Sequence, residues 1–191
     1  MNPNERPQRV IAVIGGIGSG KSSVCAYLSQ RGFAVLDCDQ IAREVASCPK
    51  TVEAVAKAFG EHFVKDGAID RPELRRHVFE DAARLKKLNE IFHGQVYQRL
   101  SEALVGLPSP VFVEVSAADS IRPGHFSDIW EVVAEDDVRI ARVTRRDNTE
   151  AEEVKAIIEK QRHRLPVTET IVNNDSQAEL YQAVDALLRA L

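Results

Sequence analysis

The run Gly15-Gly16-Ile17-Gly18-Ser19-Gly20-Lys21-Ser22 constrains this chain more than any other stretch. It fits the pattern G-x-x-x-x-G-K-[ST] and follows directly on Val10-Ile11-Ala12-Val13-Ile14, an apolar, β-branched run that reads as a buried strand. Ser22 to Gln30 then read as a helix that Gly32 can end. Strand, glycine loop and helix N-terminus together make a phosphate cradle. Glycines accept positive φ and turn backbone N–H groups toward an anion, and the helix dipole adds partial positive charge there. The candidate contacts to a nucleotide are Gly16, Ile17, Gly18, Ser19, Gly20, Lys21, Ser22 and Ser23. Lys21 reaches the β- and γ-phosphates in such a motif, and the Ser22 hydroxyl ligates Mg²⁺. The expectation is a bound nucleoside triphosphate with its magnesium.

A chain of 191 residues suits one domain with an insertion. The net charge of −4 argues against a nucleic-acid partner, because a phosphate backbone demands a basic face. Nucleotide binding must therefore come from local charge. No apolar run reaches membrane-spanning length, and Met1 to Arg9 lack the apolar core of a signal peptide, so a cytoplasmic protein is expected, with no membrane partner. Cys25, Cys38 and Cys48 have no metal-ligand spacing and read as reduced thiols. Cys38 lies between Asp37 and Asp39, whose charge opposes thiolate formation.

Strand-like runs alternate with helical patterns, which points to an α/β fold on a parallel sheet. After the first strand, Phe33–Leu36 ending at Asp37, Val111–Val115, Ile129–Ala134 and the weaker Thr170–Val172 read as four more. Between the second and third lies a charged, mostly helical stretch, Gln40 to Val105, too long for a simple crossover. Asp137 to Leu165 is rich in Arg, Glu and Lys, and Ser176 with Glu179 has the spacing of a capping box before a last helix. The expected organisation is a core of residues 9–39, 106–141 and 167–191, a helical insert over about 40–105, and a lid over about 142–166.

Three constellations add chemistry. Asp37-Cys38-Asp39 falls at a strand's carboxyl end, the edge where open parallel sheets bind ligands. A carboxylate there can take a proton from an attacking hydroxyl, hold Mg²⁺ through water, or simply cap a helix starting near Gln40. Arg142 and Arg146 are four apart and share a helical face that Arg139 widens. They can face transferring phosphates or form surface ion pairs. Asp66-Gly67-Ala68-Ile69-Asp70-Arg71 reads as a turn before a helix start at Pro72, and Asn89 and His93 share a helical face. A guanine-reading Asn-Lys-x-Asp is missing, and the small size argues against a motor or transporter ATPase. A helical insert and an arginine-bearing helix suit a small-molecule kinase whose lid excludes water.

Taken in order, these stretches resemble the dephospho-CoA kinase family. The matching residues are the phosphate loop, then Val35-Leu36-Asp37-Cys38-Asp39-Gln40-Ile41-Ala42-Arg43, Phe59-Gly60, Asp66–Arg71, Leu74-Arg75, Val78-Phe79, Leu88-Asn89 with His93, Arg142, Arg146-Asp147, Gln161 and Asn173-Asn174. The resemblance spans nearly the whole chain. It implies a phosphate-loop α/β/α fold with a five-stranded parallel sheet, and transfer of the ATP γ-phosphoryl group to the ribose 3′-hydroxyl of dephospho-CoA with Mg²⁺. It implies Asp39, Lys21 and Arg142 as catalytic residues, Asp39 being the base. Arg142 and Arg146 would lie on the ATP phosphates and Asn173 on the adenine, with Arg43, Arg71, Leu74 and His93 beside Asp39 at the acceptor. A monomer or small homo-oligomer is expected.

The chain departs from the family pattern at Ile14, where threonine is usual, and at Gly94, where proline is usual. Its Val115 runs into Ser116-Ala117-Ala118-Asp119-Ser120 in place of Pro-Leu-Leu-Phe-Glu, and the segment from Gln161 to Asn173 is shortened. These departures bear on the acceptor more than on the phosphates. The alternatives they keep open are a kinase for another small hydroxyl acceptor and a non-catalytic nucleotide-binding regulator.

Overall fold

The computed structural model describes residues 8–79, 81–118, 121–161 and 165–191; Asp119 and Ser120 of the altered segment lie outside them. A five-stranded sheet is built from β1 (Val10–Ile14), β2 (Ala34–Asp37), β5 (Val111–Glu114), β6 (Asp128–Val133) and β7 (Glu169–Val172). Every pairing is parallel, in the order β2-β5-β1-β6-β7. β1 is central and buried along its whole length, which is why it reads as an unbroken apolar run and not as an alternation. β5 and β6 flank β1 on either side, so the chain reverses its direction of progress across the sheet at the carboxyl end of β1. That switch point is where open α/β sheets bind ligands.

Helices α1 (Lys21–Gln30) and α8 (Gln177–Ala190) pack on the sheet through Val24, Cys25, Leu28, Leu180 and Val184. They meet Ile11, Val13, Phe112, Trp130, Val132 and Ile171 in a single core. Tyr27 and Tyr181 stack where α1 and α8 touch, with ring centroids 3.9 Å apart. Ser176 caps α8 in a complete box with Glu179, as the spacing predicts; the Ser176 backbone N–H and hydroxyl hold the Glu179 carboxyl below its ordinary range.

The chain divides into two compact units, one of residues up to Asp37 with Leu107–Leu191, the other Cys38–Gly106. The second unit holds α2 (Cys38–Ser47), α3 (Pro49–Phe59), α4 (Arg71–Phe79) and α5 (Ala82–Leu104), with a short 3₁₀ turn at Glu61–Phe63. Its core gathers Val52, Val55, Phe63, Ile69, Leu74 and Val78. Asp81 caps α5, accepting hydrogen bonds from the Ala83 and Arg84 N–H groups, and these bonds lower its carboxyl's proton affinity. A small antiparallel hairpin, β3 (Val64–Lys65) and β4 (Ala68–Ile69), occupies what the sequence presents only as a turn. Asp66 and Gly67 both take positive φ, the two-residue turn that matches strand twist. Among the described residues no helix is long and apolar enough to cross a membrane.

The arginine-rich stretch folds as α6 (Asp136–Asp147) and α7 (Ala151–Lys160), joined through Asn148 in the left-handed region. They pack through Val143, Val154 and Ile158, against which Ile17 of the glycine loop also packs. Residue 142, near which the lid is expected to begin, lies inside α6.

Candidate active site around the phosphate loop

Because β1 is clamped on both sides and α1 begins at Lys21, the loop Gly15–Gly20 is tied at both ends. Two of its glycines are sterically required. Gly20 caps α1 at φ 96°, and the Asn173 amide occupies the space a Cβ would need; Gly18 has φ 75° with the Arg139 carbonyl against it. Inside the loop, the Ser19 N–H closes a turn onto the Gly16 carbonyl at 3.1 Å. The Ser19 side chain is buried, its hydroxyl without a hydrogen-bond partner in the structure. A cavity of about 410 Å³ opens over the loop, with Ser116, Arg142, Arg146 and Gln161 completing its wall.

Two side chains at the end of the loop converge on one carboxylate oxygen. Lys21, only 8% exposed, donates from Nζ to Glu114 Oε1 at 2.5 Å and to Ser116 Oγ at 3.0 Å. Ser22 Oγ donates to the same Glu114 oxygen at 3.0 Å. Glu114 is the last residue of β5 and stands opposite Asp37, the last residue of β2, in the ladder. Beneath them the Cys25 thiol is pushed far above its ordinary pKa, first by burial and then by the Glu114 carboxylate. The sequence directs attention to Cys38, whereas Cys25 is the cysteine that is buried.

The arginines divide. Arg142 turns inward, donating from Nη1 to the Asn173 carbonyl at 2.9 Å and more distantly to the Gly18 carbonyl at 3.5 Å. Arg146 stays exposed and forks onto the neighbouring Asp147 carboxylate with two 2.6 Å bonds; this pairing lowers the Asp147 pKa and raises that of Arg146. Asn173, expected at the adenine, is 6% exposed and sends its amide N–H to the Ser19 carbonyl at 2.7 Å. It lies under the loop because the chain leaving β7 passes there.

The expected acceptor residues belong to the Cys38–Gly106 unit. Asp39 is half-buried at the second position of α2, so it lies within the helix and does not cap one starting at Gln40. Arg43 is one turn on and exposed; Arg71 opens α4 and is exposed; His93 is half-buried in α5. Leu74, at 3% exposure, is part of the unit's core.

Two residues carry more than the sequence disclosed. Arg139 donates from Nε to the Ile17 carbonyl at 2.9 Å, and Gln161 accepts the Ile17 N–H at 2.7 Å. Both contacts join positions more than a hundred residues apart, which no local pattern encodes. Glu114 was more accessible to a sequence reading, as the charged residue that closes the apolar strand β5.

The dephospho-CoA kinase family model matches residues 9–179. A dephospho-CoA kinase of Synechococcus sp. is 36% identical over 95% of this chain and 96% of its own, and one of Fusobacterium nucleatum is 33% identical over 92% and 95%. A crystal structure from Thermus thermophilus superposes with a TM-score of 0.80 at 33% identity, covering 97% of this chain and 99% of that one. A shikimate kinase from Bacteroides thetaiotaomicron, 13% identical with a TM-score of 0.55, shares the fold. With the phosphate loop, the sheet order and the family match all falling on the same residues, the chain belongs to the dephospho-CoA kinase family.

Proposed function

We propose that this protein transfers the γ-phosphoryl group of ATP to the ribose 3′-hydroxyl of dephospho-CoA, giving coenzyme A and ADP. The observation that carries the reading is the convergence of Lys21 and Ser22 on Glu114 in a glycine loop at the sheet's switch point, within a chain matching the family over residues 9–179.

The geometry of the loop supports the phosphate side of this reading. The loop's N–H groups and the N-terminus of α1 receive the phosphates. Lys21 exchanges Glu114 and Ser116 for the β- and γ-phosphate oxygens. Ser22 and Glu114 offer hard oxygen ligands suited to Mg²⁺, with the carboxylate acting directly or through water. The metal, when bound, neutralises charge on the β- and γ-phosphates. Arg142 borders the same cavity, and Arg146, once released from Asp147, brings a second guanidinium to it.

On the acceptor side, Asp39 is the base that takes the 3′-hydroxyl proton as the oxygen attacks phosphorus. Its support is its position two residues beyond β2, whose last residue stands opposite Glu114. Arg43, one turn along α2, holds the acceptor, with Arg71 and His93 contributing from the same unit. The insert serves as the acceptor-binding part, and the α6–α7 region closes over ATP to exclude water.

The test is an acceptor panel with ATP and Mg²⁺, scored by ADP formation. Dephospho-CoA is expected to exceed nucleosides and other pantetheine compounds by two orders of magnitude or more in kcat/KM, taking about 2.7 kcal/mol as the least a specific pocket supplies. A nucleoside or pantetheine compound turning over equally well would overturn the acceptor assignment.

A further inference from the structure

Successive carbonyls of the phosphate loop are held by side chains from far along the chain. Ile17 O accepts from Arg139 Nε at 2.9 Å, Gly18 O lies 3.5 Å from Arg142 Nη1, and Ser19 O accepts from Asn173 Nδ2 at 2.7 Å. Gln161 holds the Ile17 N–H from the other side at 2.7 Å. A trans peptide is planar, with its C=O and N–H pointing in opposite directions. Fixing the Ile17 and Ser19 carbonyls therefore also fixes the directions of the Gly18 and Gly20 N–H groups. Both glycines border the phosphate cavity and have positive φ, so little in their own chemistry would hold one conformation. Ordering a residue costs backbone entropy, a cost these outer bonds meet before any ligand arrives.

Asn173 is the junction of this brace. Its Nδ2 binds the loop, while its Oδ1 and backbone carbonyl lie 3.4 Å and 2.9 Å from Arg142. Its backbone N–H is bonded to the Val133 carbonyl at 2.8 Å, which anchors the junction to the end of β6. Arg139 is equally committed, with its guanidinium against Gly16 and Nη1 on Asp136.

We propose that Asn173 and Arg139 are positioning residues that set the peptide planes of the phosphate loop, and that Asn173 does not read the nucleotide base. The proposal rests on the loop being the ATP site. It separates phosphate affinity from base selectivity, which a base contact would link.

The experiment measures binding of tripolyphosphate, ATP and GTP by calorimetry to wild type, Asn173→Asp and Arg139→Gln. Asn173→Asp keeps the size and the acceptor facing Arg142 but places an acceptor against the Ser19 carbonyl. The expected result is about tenfold weaker binding of tripolyphosphate and ATP alike in both variants, with the ATP-to-GTP ratio unchanged. Asn173→Asp binding tripolyphosphate normally while losing ATP, or losing its ATP preference over GTP, would make Asn173 a base reader. Should Asn173→Asp fail to fold, Arg139→Gln decides alone, and wild-type tripolyphosphate affinity there overturns the brace. Arg139→Lys, which retains one donor, is expected to recover part of the loss, whereas a loss of folded fraction alone would leave the affinity of the folded molecules intact and count against the proposal. Wild type binding neither tripolyphosphate nor ATP would instead remove the ATP-site reading itself.

Discussion

The Lys21 ammonium lies 2.5 Å from Glu114 Oε1, and the same oxygen accepts the Ser22 hydroxyl at 3.0 Å. The two phosphate-loop side chains assigned to phosphate and metal thus share a resting partner on the neighbouring strand. Lys21 is held low in the cavity by Glu114 and Ser116, so on the proposed reading nucleotide binding exchanges these partners for phosphate oxygens.

Glu114→Gln should loosen that resting pair while removing the carboxylate on the metal side. Nucleotide affinity without Mg²⁺ is expected to hold or improve, while Mg²⁺-dependent turnover falls by about two orders of magnitude, the scale of losing one charged stabilising contact. A titration of rate against Mg²⁺ at fixed ATP checks this; a wild-type titration curve would remove Glu114 from the metal side.

Lys21→Ala is expected to lower kcat/KM for ATP by about 10²–10³, since it deletes the side-chain cation assigned to the transferring phosphoryl group. The loss should appear mainly in kcat if Lys21 acts most strongly in the transition state. Steady-state rates over a range of ATP separate the two. A change confined to KM would make it a ground-state contact.

Cys25 gives a pH prediction. Its ordinary pKa of 9.0 is raised in the folded protein by burial and by Glu114, so above pH 9 the folded state keeps a proton that the unfolded state releases. The contribution is complete below pH 9 and declines as pH rises, by about 1.4 kcal/mol per unit until the folded thiol itself ionises. Urea midpoints of wild type and Cys25→Ala between pH 8 and 10.5 should show the wild type losing more. Equal slopes would place the thiol's proton elsewhere.

The helix that carries Lys21 owes its place to packing. Leu28 is fully buried between the sheet and α8, so Leu28→Ala should cost about 2–5 kcal/mol in denaturant unfolding. A cost below 1 kcal/mol would mean that the core relaxes around the vacancy.

How much of this was legible in the sequence depends on the range of the interaction. The glycine loop, β1 and the Ser176–Glu179 box are local patterns, and each folds where its spacing puts it. The β3–β4 hairpin was local as well, and the Asp66-Gly67 pair flanked by Val64 and Ile69 was its available sign. The burial of Leu74 with Phe63 and Val78 is decided by tertiary packing and has no local sign. Asn173 and Arg139 touch the loop across 154 and 122 positions, so their hydrogen bonds to its carbonyls leave no trace in local periodicity.

ADP release from ATP and Mg²⁺, with and without dephospho-CoA, in wild type and Asp39→Asn, tests acceptor and base together. Release is expected to depend on dephospho-CoA and to yield coenzyme A in wild type, and to be lost in Asp39→Asn with ATP affinity retained. Release indifferent to dephospho-CoA would contradict the assigned acceptor, and near-normal turnover in Asp39→Asn would contradict the assigned base.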